Sequence, residues 1–194
     1  MSFIISIVFA VKSILLFTGA VAQDKSAAYF DQPQIIVVGE EVKMSCGLHN
    51  AFPDELKKLA ATGTEIPLYF FIEIKTSPSQ GTLHQTIIEH TLRYDLIAKQ
   101  YWVVRKPAMD TLGFASADSA IAQACTFPRF SAFPLSIIDK DKMYTITSYA
   151  VLGKAMVEAL ENHSIDLMYY WNYKRPTIKT EKIPGGQFLA RGRK

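Results

Sequence analysis

Val42-Lys43-Met44-Ser45-Cys46-Gly47-Leu48-His49, then Phe52-Pro53-Asp54-Glu55-Leu56, then Ile66-Pro67-Leu68-Tyr69-Phe70-Phe71-Ile72-Glu73-Ile74: these three runs decide the fold. In the first, Val42, Met44, Cys46 and Leu48 alternate with polar or small residues, the period of a half-buried strand. In the second, Pro53 suits the first helical position because it has no N–H to leave unpaired, and Asp54 and Glu55 meet the positive end of the helix dipole. Leu56, Leu59 and Ala60 give a short apolar stripe, and Gly63 is suited to the left-handed turn that ends a helix. The third run is a strand with Leu68, Phe70, Ile72 and Ile74 on one face and Tyr69, Phe71, Glu73 and Lys75 on the other. Both faces carry apolar residues, so this strand is expected at the centre of a sheet and covered on both sides.

Working outward, Ile35 to Val38 reads as a first strand, with Gly39-Glu40-Glu41 as a bulge or turn. Thr76 to Gly81 is a loop by composition. Leu83 to Tyr94 and Gln100 to Arg105 form a hairpin about Asp95 to Lys99, and Pro107 ends its ladder. Phe114, Ala117, Ile121 and Ala124 recur at helical spacing. Phe127 to Pro134 is extended before each proline, its three phenylalanines roofing the core. Met143 to Leu152 is a strand rich in Thr, Ile and Tyr. Ala155, Met156, Ala159 and Leu160 suggest a helix ending near Asn162, and Ile165 to Tyr173 a last aromatic strand. The expected fold is α+β, mostly antiparallel β-sheet or sandwich of about 6–7 strands with two or three short helices, because the strands follow one another through short loops.

The first 22 residues carry the pattern of an export leader: an apolar run from Phe3 to Phe17 broken by Lys12, then Ala20-Val21-Ala22 as a small-residue cleavage site. A retained membrane anchor is the alternative, at odds with a lysine near the centre of the span. Residues 23–176 are then one globular domain, and 177–194 a basic tail. From Lys174 onward seven basic residues (Lys174, Arg175, Lys179, Lys182, Arg191, Arg193, Lys194) face only Glu181, so the overall charge of +3 hides an acidic body and a basic end. A solvated end is the plain reading, and contact with anionic membrane the sharper one. Nucleic acid is not an expected partner, since the body lacks a basic stripe. Two cysteines, Cys46 and Cys125, are expected as buried thiols, with a disulfide as the alternative in an oxidising compartment.

Several pieces, in order along Val42 to Pro176, resemble family 4390 of the bacterial domains of unknown function. They are Ala51-Phe52-Pro53-Asp54-Glu55-Leu56, Gly63 with Pro67, and Leu92-Arg93-Tyr94-Asp95 with Lys99-Gln100-Tyr101. Phe133-Pro134-Leu135-Ser136, the strand at Tyr144, and Tyr170-Trp171-Asn172-Tyr173 with Pro176 complete the set. The resemblance implies an exported envelope protein and supplies no catalytic residue. Tyr149 and Val151 stand where the family pattern has an arginine and an acid, and Asn172 where an aspartate is common.

Catalytic motifs are missing from the sequence. There is no nucleophile elbow, no His-Glu-x-x-His and no phosphate-binding glycine loop. His84 and His90 share a strand face but lie about 20 Å apart at strand rise, too far to hold one ion. No metal, cofactor or catalytic residue is therefore expected. The aromatic concentrations fit a core first and a contact surface second. The candidate surface is Trp171 and Tyr173 with Asn172 between them, and Arg93 and Tyr94 as neighbours. The expected function is non-enzymatic binding of an envelope or membrane protein by a periplasmic or secreted chain. A carrier of a small apolar ligand and a hydrolase without a motif are the alternatives, and the oligomeric state is left open.

Overall fold

The computed structural model describes residues 27–77, 81–157 and 163–191. The chain's founding run folds as its pattern requires: β3 (Glu41–His49), α1 (Asp54–Ala61) and β4 (Ile66–Thr76). Pro53 sits one position earlier than expected, as an extended cap with Asp54 and Glu55 in the first turn behind it. Gly63 takes φ +89° where the helix stops.

Two sheets face one another. In the smaller, β3 is flanked by β1 (Tyr29–Phe30) and β2 (Gln34–Val38) along successive stretches, and by β8 (Thr126–Pro134). The β2–β3 hairpin turns at Gly39, with φ +60°. The larger sheet runs in the order β12 (Thr177–Lys179), β9 (Met143–Leu152), β4, β5 (Thr82–Asp95), β6 (Gln100–Lys106) and β7 (Asp110–Phe114), with β13 (Ile183–Pro184) also on β9. Every pairing is antiparallel. Between the sheets lie Val42 and Met44 of β3, Phe127 and Phe133 of β8, and Phe70, Ile72, Ile88, Leu92, Ile146 and Ala150 of the larger sheet, all buried. Phe70 spans the gap, its ring 5.2 Å from Phe127 and 6.2 Å from Phe30.

The helices close the sandwich. α1 buries Leu56 and Ala60, and α2 (Ala117–Ala124) buries Ala120 and Ala124. Ser116 caps α2 by accepting a hydrogen bond from the Ser119 N–H at 3.2 Å. The small alanine face brings α2 near enough for His90 Nδ1 to meet the Ala124 carbonyl at 2.7 Å. The carbonyl can only accept, so Nδ1 carries the proton.

The C-terminal third corrects several expectations. Lys154 to Val157 is a strand, β10, paired with β11 (His163–Asp166), where the alanine spacing suggested a helix; the rest of that helix, 158–162, lies outside the described residues. Gly153 makes the corner: its N–H bonds the Pro67 carbonyl at 2.8 Å, and any Cβ there would sit 2.8 Å from Pro67 and Tyr69. After Asp166 the chain makes a 3-10 turn, Leu167–Trp171, in place of the expected aromatic strand. The Asp166 carboxylate caps it by accepting from the Met168 N–H at 3.0 Å, and left-handed Asn172 and Tyr173 end it.

Residues 177–191 of the expected tail are part of the domain. β12 and β13 pair with β9, and α3 (Gly185–Arg191) drives Phe188 into the core between Phe133 and Tyr144, 5.9 and 6.3 Å away. Ile183, Phe188 and Leu189 are the apolar residues that a charge count overlooks. Phe114 belongs to β7 and not to the helix, and β7 itself was not expected from the sequence. Its Asp110 pairs with Arg105 across the β6–β7 turn. β4 is central, as its two apolar faces suggested, but no second layer covers its outer face among the described residues.

Candidate functional site

The uncovered face of the larger sheet is built by register. Tyr69 lies between Glu89 of β5 and Val151 of β9, and Phe71 between Ile87 and Tyr149. The Phe71 and Tyr149 rings stack, 4.7 Å apart and tilted by only 6°. Towards one end the face is tied by polar bonds. Glu73 takes an ion pair from Lys75 at 2.7 Å and hydrogen bonds from Gln85 at 2.9 Å and the Tyr149 hydroxyl at 3.4 Å. These donors, Lys75 foremost, hold the Glu73 carboxyl below its usual range. Partial burial and then the Glu73 charge push the Tyr149 hydroxyl up.

Towards the other end the face opens into a groove of about 1020 Å³. Pro67, Tyr69, Glu89 and Thr91 form its floor. Its walls are the turn after α1 (62–65), the β5–β6 turn (95–97) and β10 (154–156). Apolar side chains stand up from the rim: Ile97 is 96% exposed, Leu96 61% and Met156 58%. Asp95 fixes that turn, its Oδ1 accepting from the N–H groups of Ile97 and Ala98, each at 2.9 Å. These bonds, Ala98 first, keep the Asp95 carboxyl below its ordinary range. Leu96 also lies over Gly63, its Cδ1 at contact distance, 3.4 Å, from where a Cβ there would stand. The rim is therefore a held shape carrying exposed apolar groups. Glu65, Glu89 and Asp95 line the groove against Lys154, with Arg93 answering Glu65 at 3.8 Å and Lys106 answering Glu89 at 3.1 Å.

The candidate residues read from sequence divide. Tyr94 lines the groove, and Arg93 stands beside it through its ion pair with Glu65. Trp171 is buried, its indole N–H donating to the Ala51 carbonyl at 2.8 Å, so it holds the turn to the α1 entrance. Asn172 and Tyr173 are exposed on the left-handed turn, and none of the three lines the groove. Leu96, Ile97, Met156 and Tyr69 take their place. A signal for two of them existed: Leu96-Ile97 is an apolar pair inside a hairpin turn, where polar residues prevail.

A second cleft, of about 330 Å³, gathers Asp31, Cys46, His49 and Cys125. Cys46 donates its S–H to Asp31 Oδ1 at 3.2 Å, and His49 Nε2 lies 3.5 Å from Asp31 Oδ2. A Cβ at Gly47 would come within 2.7 Å of Asp31 Oδ2, so a side chain there would displace that carboxylate. The geometry opposes nucleophilic chemistry. Burial, and then the Asp31 carboxylate that accepts its proton, push the Cys46 thiol far above its usual range. Burial alone pushes Cys125 up to about 12. Both thiols are free. Among the described residues no three His, Cys, Asp or Glu side chains converge as metal ligands, and no helix is long and apolar enough to cross a membrane.

Fold and surface together define a two-sheet antiparallel α+β domain with one open sheet face that deepens into an apolar-rimmed groove. The chain belongs to the family described as a domain of unknown function, DUF4390, which it matches over residues 25–157. That span runs from β1 through β10 and includes the whole groove. Among curated proteins and among solved structures nothing matches the chain.

Proposed function

We propose that this chain is an exported, non-enzymatic protein of the cell envelope that binds a segment of a partner protein in the groove on its open sheet face. The observation that carries the reading is the rim: Leu96, Ile97 and Met156 are held outward around a floor of Pro67, Tyr69, Glu89 and Thr91, an arrangement that costs solvation unless something covers it. The exposed rim favours an apolar segment, and charge adds little to the choice because Arg93 and Lys106 already answer two of the groove's carboxylates. The open shape supports a protein segment over a small carried ligand, which wants an enclosed pocket. Export rests on the leader pattern of the first 22 residues.

A photo-crosslinking residue placed at Ile97 in intact cells is expected to trap one discrete partner, with Leu96→Glu abolishing the adduct and the same probe at Lys140 giving none. Equal labelling from Ile97 and Lys140, or recovery of an unprocessed chain from the cytosol, would overturn the reading.

A further inference from the structure

The edges of the two main sheets are not alike. β8 carries Pro128 and Pro134, which have no N–H to offer a ladder, with Arg129 between them. β12 follows Lys174-Arg175-Pro176 and bears Lys179. β7 is five residues long, interrupted by Gly113, and packs against α2. These are the devices by which proteins stop strands from pairing with strangers: proline, lysine, brevity and cover. β2 is as short as β7, follows Pro33 and touches α3, but among the described residues it bears no lysine and has no strand on its far side. Gln34-Ile35-Ile36-Val37-Val38 carries no charge, no proline and no bulge, and pairs residue for residue with β3 from Gln34↔Ser45 to Val38↔Glu41. Among the described residues its backbone bonds only to β3, leaving its other side a row of donors and acceptors at strand spacing. Ile36 and Val38, 37% and 48% exposed, stand on the outward face beside that row.

We propose that β2 receives an extended segment of another protein as an added antiparallel strand, and that the segment carries basic residues on either side of an apolar run. The free ladder specifies the occupant's backbone, since only another strand meets alternating N–H and C=O groups at that spacing. The flanks specify its charge. Asp31 precedes β2, Glu40 and Glu41 follow it, and Lys43 answers one of these at 3.9 Å. A second copy of this chain fits badly: antiparallel pairing about Ile36 sets Asp31 towards the partner copy's acidic Glu40-Glu41 end, and facing like charges are unfavourable. The edge is a separate surface from the groove, none of whose lining residues lies on β2.

The test uses the full chain and a fluorophore-labelled heptapeptide, Lys-Thr-Val-Ile-Val-Thr-Lys, capped at both ends. Saturable binding is expected, with slowed amide hydrogen exchange across residues 34–38. Replacing both peptide lysines by glutamates should weaken binding by about ten-fold or more at low salt, a difference that shrinks as salt rises. Methylating alternate peptide nitrogens should abolish it, because the side chains remain while the ladder is lost. Ile36→Lys and, separately, Val38→Lys place a charge on the exposed face; each should reduce binding at least ten-fold while thermal unfolding stays within a few degrees of the parent chain. Absence of binding and of added protection, equal binding of the methylated peptide, or self-association that Ile36→Lys abolishes would each overturn the proposal. Crosslinking at Ile97 reports the groove separately, so loss of either surface is told apart from loss of the other.

Discussion

Phe70 and Phe71 are adjacent on β4, one pointing between the two sheets and the other away from them. Phe70 is enclosed by Phe30, Phe127 and the edge of His90, while Phe71 has one stacked neighbour, Tyr149, and stays half-exposed. The alternation that placed them is the same; what differs is whether a second layer lies opposite. Apolar residues on a strand face therefore report its capacity to be covered, and only one of β4's two faces is covered by this chain's described residues. The other leads into the groove.

The contrast can be broken in the laboratory. Phe70→Ala should cost about 3–5 kcal/mol, from lost burial and a cavity that the surrounding rings cannot close. Phe71→Ala should cost about 0.5–1.5 kcal/mol, chiefly the loss of its stacked ring. Equal losses in urea unfolding would mean that the outer face is as enclosed as the inner one.

Trp171→Phe keeps an aromatic ring in place and removes the N–H that serves the Ala51 carbonyl. An unserved buried acceptor costs about 1–3 kcal/mol, readable in the same unfolding experiment. A surface residue would show almost none of that loss, so the variant also separates the buried role of Trp171 from the contact role its sequence suggested.

His90 gives the inner face a pH signature. Burial holds its imidazole below the usual 6.5, with Arg105 adding to the effect and the Ala124 carbonyl and Asp110 opposing it. Below 6.5 the unfolded chain takes up a proton that the folded chain refuses, so stability falls as pH drops from 6.5 through the lowered folded value. Glu73 and Asp110 act in a lower window. Both carboxyls are held down by basic partners, so their contribution is complete above the ordinary carboxylate range and lost as pH falls through their folded values. Urea midpoints at pH 7.5 and 5.5 should differ for the parent chain and converge for His90→Gln; an unchanged gap would remove His90 as the cause. Smallest of all is Ile97→Glu, expected within about 0.5 kcal/mol of the parent because the side chain touches little. It should nonetheless abolish partner capture at the groove, as circular-dichroism melting and crosslinking from a probe placed at Met156 together would show.

Much of this architecture could be read from residues alone. The strand, capped helix and returning strand between Val42 and Ile74 announce themselves through period and punctuation, as does the hairpin about Asp95. The reading failed beyond Leu152 for a physical reason. Ala155 and Met156 suit a helix or a strand equally, and the choice was made by Gly153 packing on Pro67 and Tyr69. Likewise Tyr170-Trp171-Asn172-Tyr173 has strand-like composition, but the Asp166 cap and the indole bond to Ala51 turn it into a 3-10 coil. Half of the site was hidden for the same cause: Arg93 and Tyr94 came from a well-marked strand, whereas Met156 reaches the groove only because β10 is a strand.

Local order was thus written in the chain: hydrophobic period, proline and glycine punctuation and carboxylates at helix starts are short-range effects that each segment carries with it. Which sheet face stays open, which edge stays bare and whether a basic terminus joins the core were decided only on folding. Those outcomes depend on what distant segments bring opposite one another, as when Phe188 meets Phe133 and Tyr144.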